Sequence, residues 1–92
     1  MKTIELIRVR TGNNNSLKDL EAIKQITASA LLNAPAGTVE VYKHASVEGD
    51  FAYFFFGDEE TIGADGSSLG IKIRKSLESL GIVDNSHWTL IE

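Results

Sequence analysis

Cysteine is absent from this sequence. Without thiols the chain can form no disulfide bond, no thiolate metal site and no cysteine nucleophile, and cysteine usage does not indicate a redox compartment. Proline occurs once, at Pro35, where together with Gly37 it is expected to end a helix.

An excess of basic charge and long apolar runs are also missing. Lys and Arg total 9 against 13 Asp and Glu, a net charge of −4. A nucleic-acid partner or an anionic membrane surface would favour a basic face, and no apolar run reaches the length of a membrane span. The first ten residues, MKTIELIRVR, carry charges within their apolar stretch, unlike a signal peptide. We therefore expect a cytoplasmic protein without nucleic-acid or membrane partners.

What is present is typical of one globular domain, residues 1–92, with 42% hydrophobic and 24% charged residues. Alternating apolar positions predict strands over residues 3–11, 38–46, 50–56 and about 87–91. In the first strand Ile4 and Leu6 point to one face, and Ile7 and Val9 to the other. Helical spacing predicts one helix from an N-cap at Ser16 to about residue 33, and another from Ser67 or Ser68 to Leu80.

The element order β-α-β-β-α-β predicts an α+β, ferredoxin-like fold. Right-handed connections place both helices on one face of a four-stranded antiparallel sheet. The usual strand order of this fold puts the first and third strands in the middle.

Most aromatic residues lie in one stretch, GDFAYFFFG, at residues 49–57. A two-residue turn at Glu48-Gly49 predicts a hairpin in which His44 lies opposite Tyr53. In this register the face away from the helices carries Tyr42, His44, Phe51, Tyr53 and Phe55. The helix-facing set is Val39, Val41, Ala45, Ala52, Phe54 and Phe56, with Lys43 as a misfit near an edge.

A monomer with this arrangement would expose several large aromatic side chains. Burial of each is worth roughly 1.5–3 kcal/mol, and contiguous apolar patches are rare on monomers. We therefore expect a homodimer in which two copies of the chain pack sheet against sheet.

The element order and the two-sided sheet resemble the dimeric α/β-barrel superfamily, which includes antibiotic-biosynthesis-monooxygenase-like and stress-responsive barrel proteins. The resemblance covers nearly the whole chain but involves no signature motif. It implies pairing through the sheets and a cavity between sheet and helices or within the barrel. Some members are cofactor-independent oxygenases, haem-degrading enzymes, isomerases or lyases. The motifs of the haem-degrading members have no match around Trp88 or the two histidines.

The candidate site combines His44 as a general base with Tyr42, Phe51, Tyr53 and Phe55 as a ligand-binding wall. The alternative is that His44 bonds to Tyr53 and these side chains fill the dimer interface. No cofactor is predicted. No metal site is predicted either, since the acidic residues Asp58, Glu59 and Glu60 lack calcium-loop spacing.

Three further features have structural alternatives. The segment GADGSSLG, residues 63–70, could bind an anion at a helix N-terminus or could simply be a capped helix start. Arg8 and Arg10 could clamp an anionic substrate or meet the acidic loop of residues 57–66. Trp88 is expected in packing and His87 at a solvent-exposed strand end.

The expected function is a homodimer that binds a small apolar or aromatic molecule in a cavity at the sheet face. One alternative is a cofactor-independent monooxygenase or isomerase-type enzyme that uses His44. A second alternative is a ligand-sensing regulatory module.

Overall fold

The computed structural model describes residues 2–12, 16–32, 39–58, 62 and 66–91. The elements follow the order β1 (Lys2–Arg10), α1 (Ser16–Leu31), β2 (Val39–Lys43), β3 (Asp50–Asp58), α2 (Ser68–Leu77) and β4 (Ile82–Thr89). The predicted order β-α-β-β-α-β is confirmed. Helix α1 begins at Ser16, the residue predicted to cap it, whereas Glu59 and Glu60 lie outside the described part of the molecule.

The four strands form one antiparallel sheet in the order β2-β3-β1-β4. Strands β1 and β3 occupy the centre, as the ferredoxin-like arrangement predicts, and Ile7 of β1 lies opposite Tyr53 of β3. On its other side β1 pairs with β4, where Glu5 lies opposite His87.

Both helices cover the same face of the sheet. The core between the two layers consists of Ile7, Val9, Ile23, Phe51, Tyr53, Phe55, Ile73 and Leu77. Leu20 and Ile26 of α1 and Leu69 of α2 pack against this core. The predicted division of β1 is confirmed, because Ile7 and Val9 are fully buried while Ile4 and Leu6 are half-buried on the other face.

The boundaries of all four strands differ from the prediction, and β4 differs most. Strand β4 begins at Ile82, ahead of the predicted start near residue 87, because Asp84, Asn85 and Ser86 also pair with β1. Strand β3 continues past Phe56 to Asp58. Polar residues are accommodated in β4 because it is an edge strand with solvent-exposed positions.

The predicted register of the β2–β3 hairpin is wrong. Val41, and not His44, lies opposite Tyr53, and Val39 lies opposite Phe55. Strand β2 ends at Lys43, and residues 44–49 form a longer loop. The His44 N–H closes this loop by donating to the Asp50 carbonyl oxygen at 2.8 Å. Gly49, at φ 86°, supplies the left-handed backbone that the loop requires.

This change of register reverses the predicted faces of β3, whereas the predicted faces of β2 are confirmed: Val39 and Val41 pack against the core and Tyr42 lies on the other face. Position 41 replaces position 44 opposite Tyr53, which is a shift of three residues. Because side chains alternate between the two faces along a strand, a shift by an odd number of residues moves the β3 side chains to the other face relative to β2. Phe51, Tyr53 and Phe55 therefore face the helices and are at most 4% exposed. Phe54 and Phe56 lie on the face that the helices leave uncovered, together with Tyr42.

Neither helix of the described part of the chain is long and apolar enough to cross a membrane.

Candidate functional site

The sheet face opposite the helices is apolar at its centre and is called the open face here. Its apolar side chains come from all four strands and comprise Ile4, Leu6, Tyr42, Phe54, Phe56 and Trp88. Tyr42, Phe56 and Trp88 are 51%, 39% and 61% exposed. The Tyr42 and Phe54 rings meet edge to face, with centroids 5.3 Å apart. The open face is thus a continuous apolar surface without a covering layer in one copy of the chain.

Two arginines of β1 form ion pairs at the open face. Arg8 Nη2 donates to Asp84 Oδ2 at 2.9 Å across the β1–β4 pair. At the end of β1, Arg10 Nε lies 3.3 Å from Asp50 Oδ1. The two arginines therefore lie beside acidic residues of β4 and β3, and these are not residues of the acidic loop that the structural alternative named.

A cavity of about 770 Å³ lies at one end of the open face. Its side-chain walls include Ile4, Phe56 and Trp88, and the chain after β4 closes it with Leu90 and Ile91. Leu90 stays in place because its N–H donates to the Lys2 carbonyl oxygen at 2.8 Å. A volume of this size is within the range of small-molecule sites.

The structure brings three of the five predicted site residues, Tyr42, His44 and Phe51, to one small pocket of about 140 Å³, and it places Tyr53 and Phe55 in the core. Phe51, Tyr53 and Phe55 lie in the core between sheet and helices, so they do not line the open face. Tyr42 lies on the open face, where its hydroxyl donates to Glu40 Oε1 at 2.7 Å. This contact raises the pKa of Tyr42 by hydrogen bonding and by charge repulsion.

His44 lies in the loop after β2 and is exposed. Its Nδ1 accepts hydrogen bonds from the backbone N–H groups of Ser46 at 3.0 Å and Val47 at 2.9 Å. A neutral imidazole has a single acceptor nitrogen, so this arrangement places the proton on Nε2. The Nδ1 lone pair is thus directed at the backbone of its own loop. The geometry supports a loop-closing role, and the catalytic role of His44 stays a prediction.

The Tyr53 hydroxyl is bound inside the core. It lies 2.9 Å from Thr27 Oγ1 and donates to the Ile23 carbonyl oxygen at 3.2 Å. Burial raises the pKa of Tyr53, and the hydrogen bond with Thr27 opposes part of this increase. The residue thus ties β3 to α1.

A cluster that the sequence analysis did not identify surrounds Glu5, a fully buried residue in the middle of β1. Glu5 Oε1 accepts hydrogen bonds from Ser67 Oγ at 2.8 Å and Ser67 N at 3.2 Å. Glu5 Oε2 accepts from Asn85 Nδ2 at 3.3 Å and lies 3.4 Å from His87 Nε2. The signal in the sequence is a charged residue at a core-facing position of a central strand, where charges are rare unless they are paired.

The Glu5 carboxylate also lies at the N-terminus of α2, next to Ser67. Ser67 caps this helix by accepting from Gly70 N, as predicted. A side chain at position 70 would overlap the Glu5 carboxylate, since its Cβ would clash with Oε1. The carboxylate at the helix N-terminus is thus supplied by the protein itself, and Gly70 permits its close approach. This favours the structural alternative for the GADGSSLG segment, in which residues 63–65 lie outside the described part of the chain.

No group of three or more His, Asp or Glu side chains is placed to hold a metal ion among the described residues.

The fold is shared with solved structures of antibiotic-biosynthesis-monooxygenase-like proteins. Rv0793 from Mycobacterium tuberculosis matches with a TM-score of 0.66 at 12% identity, over 100% of this chain and 97% of that chain. "Putative antibiotic biosynthesis monooxygenase from Nitrosomonas europaea" matches with a TM-score of 0.65 at 5% identity, over 98% and 90%. At such low identity these matches establish the fold alone.

A Bacteroides thetaiotaomicron protein described as a "Conserved Protein of Unknown Function" and "Possible Oxidoreductase" is also similar. Its TM-score is 0.65 at 14% identity, over 97% of both chains. No protein-family model matches the sequence, and no curated protein is similar to it in sequence.

Proposed function

We propose that the chain forms a homodimer through the open face and binds a small apolar or aromatic molecule in the cavity at the end of that face. The observation that carries this proposal is the continuous apolar surface of Ile4, Leu6, Phe54, Phe56 and Trp88. The dimeric α/β-barrel superfamily that the sequence resembles pairs in the same way.

Energetics favour a second sheet as the covering layer. Burial of apolar surface contributes about 25 cal/mol per Å², and large exposed apolar patches usually mark interfaces. The Arg8–Asp84 pair places charges of opposite sign side by side on the open face. An approaching copy therefore meets no net charge at this pair, while the Glu40 carboxylate, which accepts from Tyr42, lies at the β2 edge of the face.

The cavity supports the binding of a ligand with an apolar body. Its aromatic walls, Phe56 and Trp88, suit stacking or edge contacts with a ring. Because the cavity opens on the same face as the proposed interface, a second copy would enclose it further and exclude water.

The oligomeric state tests the first half of the proposal. We expect sedimentation equilibrium to show a dimer. The Phe56→Glu variant should be a folded monomer, because a dimer of this variant would have to bury the glutamate charge in its interface. Leu32→Glu is the matched control, because Leu32 is 82% exposed and lies beyond α1, away from the sheet. A wild-type chain that stays monomeric at high micromolar concentration would contradict the proposed dimer.

The fluorescence of Trp88 tests the proposed ligand binding in the cavity, since Trp88 is the only tryptophan of the chain. A library of small aromatic and alicyclic compounds should contain members that change its fluorescence and raise the melting temperature. Ile91→Arg, which places a charge at the cavity, should remove both effects while circular dichroism stays unchanged. If no compound changes either signal, or if Ile91→Arg binds as well as wild type, the cavity is not a binding site.

A cofactor-independent monooxygenase or isomerase-type enzyme is the second candidate, favoured by the structural similarity to a protein with a monooxygenase description. In the oxygenation, an activated CH₂ group of the substrate and O₂ would give a carbonyl group and water, so the substrate itself supplies the electrons. Oxygen consumption with a bound compound, in buffer without added cofactor, would favour this candidate over a binding protein.

A further inference from the structure

A second concave region lies away from the open face, between α1 and the edge strand β2. This cleft has a volume of about 460 Å³. Apolar side chains form its floor, with Leu20, Ile23 and Leu31 from the helix and Val41 and Phe51 from the sheet. It is large enough for a small organic molecule.

The rim of the cleft is basic. Lys24 of α1 and Lys43 at the end of β2 line it from opposite walls, and both are exposed. In the part of the chain that the structure describes, neither lysine forms an ion pair, and no acidic residue lines the cleft. Glu40, the acidic neighbour on β2, accepts a hydrogen bond from the Tyr42 hydroxyl. Two unpaired positive charges at one cleft stand out in a chain of net charge −4.

We propose that this cleft binds a small carboxylic acid with an apolar body. The apolar part lies on the floor between Ile23, Val41 and Phe51, and the carboxylate accepts hydrogen bonds from Lys24 and Lys43 at the rim. Tyr42 and Phe51, two of the residues predicted from sequence to bind a ligand, line this cleft.

Charge and burial act together at such a site. The methylene groups of lysine can lie along the apolar wall while the ammonium group stays at the water boundary. A carboxylate there is partly shielded from water, so its bonds to two ammonium groups are stronger than those of a fully exposed pair. A neutral or cationic molecule with the same body makes none of these bonds, which determines selectivity for an acid.

The test compares 4-phenylbutyrate with its neutral amide, 4-phenylbutyramide, in a titration followed by ¹H–¹⁵N NMR. We expect saturable shifts of amide signals from α1 and β2 with the acid, and at least about tenfold weaker binding of the amide. Lys24→Gln and Lys43→Gln should each weaken acid binding by about tenfold. Lys72→Gln is the matched control, since Lys72 is an exposed lysine on α2 outside the cleft, and should bind like wild type.

Three results would overturn the proposal: no saturable shifts with the acid, equal affinity for acid and amide, or unchanged affinity in both lysine variants. Because both lysines are exposed, their replacement leaves the core intact, and the NMR spectra verify the fold directly. The cleft does not require the dimer, so Phe56→Glu should bind the acid normally. The two proposals can therefore fail separately.

Discussion

Glu5 shows how a single residue can organise both layers of this fold. Its carboxylate lies in the core, and burial of an unpaired charge there would cost several kcal/mol. Hydrogen bonds from Ser67 and Asn85 offset this cost and join β1 to α2 and β4. The position of the helix start is thus determined by a residue more than sixty positions earlier.

Replacing Glu5 by Gln should lower the free energy of unfolding by about 2–4 kcal/mol, because the amide NH₂ group would face a donor and the helix N-terminus would lose its negative charge. Urea denaturation followed by circular dichroism measures this change. Asp84→Asn, which breaks the exposed Arg8–Asp84 pair, is the control and should cost less than about 1 kcal/mol. Equal effects of the two changes would show that Glu5 is not an organising residue.

Tyr53 makes stability depend on alkaline pH. Burial raises its pKa in the folded state above the ordinary value of 10.0. The folded state then holds the phenolic proton more tightly than the unfolded state does. The resulting stabilisation is complete below about pH 10 and is lost as the pH rises toward the folded-state pKa.

We therefore expect wild type to lose more stability than Tyr53→Phe between about pH 8 and about pH 11. Urea denaturation of both proteins across this range gives the comparison. Tyr42 and the lysines are present in both, so their titration cancels in the difference. Parallel pH curves would mean that Tyr53 is not the group responsible.

At the scale of elements, the β2–β3 hairpin is the feature that sequence reasoning placed incorrectly. Glu48-Gly49 suggested a two-residue turn, but the His44 side chain and backbone stabilise a longer loop over residues 44–49. Aromatic residues occupy successive positions of β3, so both registers place rings on both faces. Hydrophobic alternation, the usual guide to register, was therefore uninformative in this strand.

The two registers predict opposite results for neighbouring phenylalanines. We expect Phe51→Ala to lower the free energy of unfolding by about 3–5 kcal/mol, since Phe51 is a core residue. Phe54→Ala should cost clearly less, because Phe54 is only half-buried in a single copy. Measurement in the Phe56→Glu background removes any contribution from dimerisation. The reverse order of the two effects would restore the register predicted from sequence.

At the scale of the whole molecule, two helices cover one face of a sheet whose other face is also apolar. Helix-facing residues such as Ile7 and Tyr53 complete a core within one copy, whereas Phe56 and Trp88 stay largely exposed. This imbalance favours association through the open face, while the cleft beside β2 faces the helix layer. The two proposals thus concern opposite sides of the sheet: association and a ligand cavity on the open face, and an acid-binding cleft on the side of the helices.

The sequence by itself determined the element order, the ferredoxin-like fold, a serine cap at Ser67 or Ser68 and the two apolar faces of β1. These follow from local periodicity and capping, which depend on residues close together in the chain. Only the tertiary structure decided which aromatic rings face the helices, that Glu5 meets Ser67 and Asn85, and that Lys24 and Lys43 border one cleft. The reason is that register and long-range contacts depend on which strands and helices meet in space, and a residue's own neighbours in sequence do not specify this.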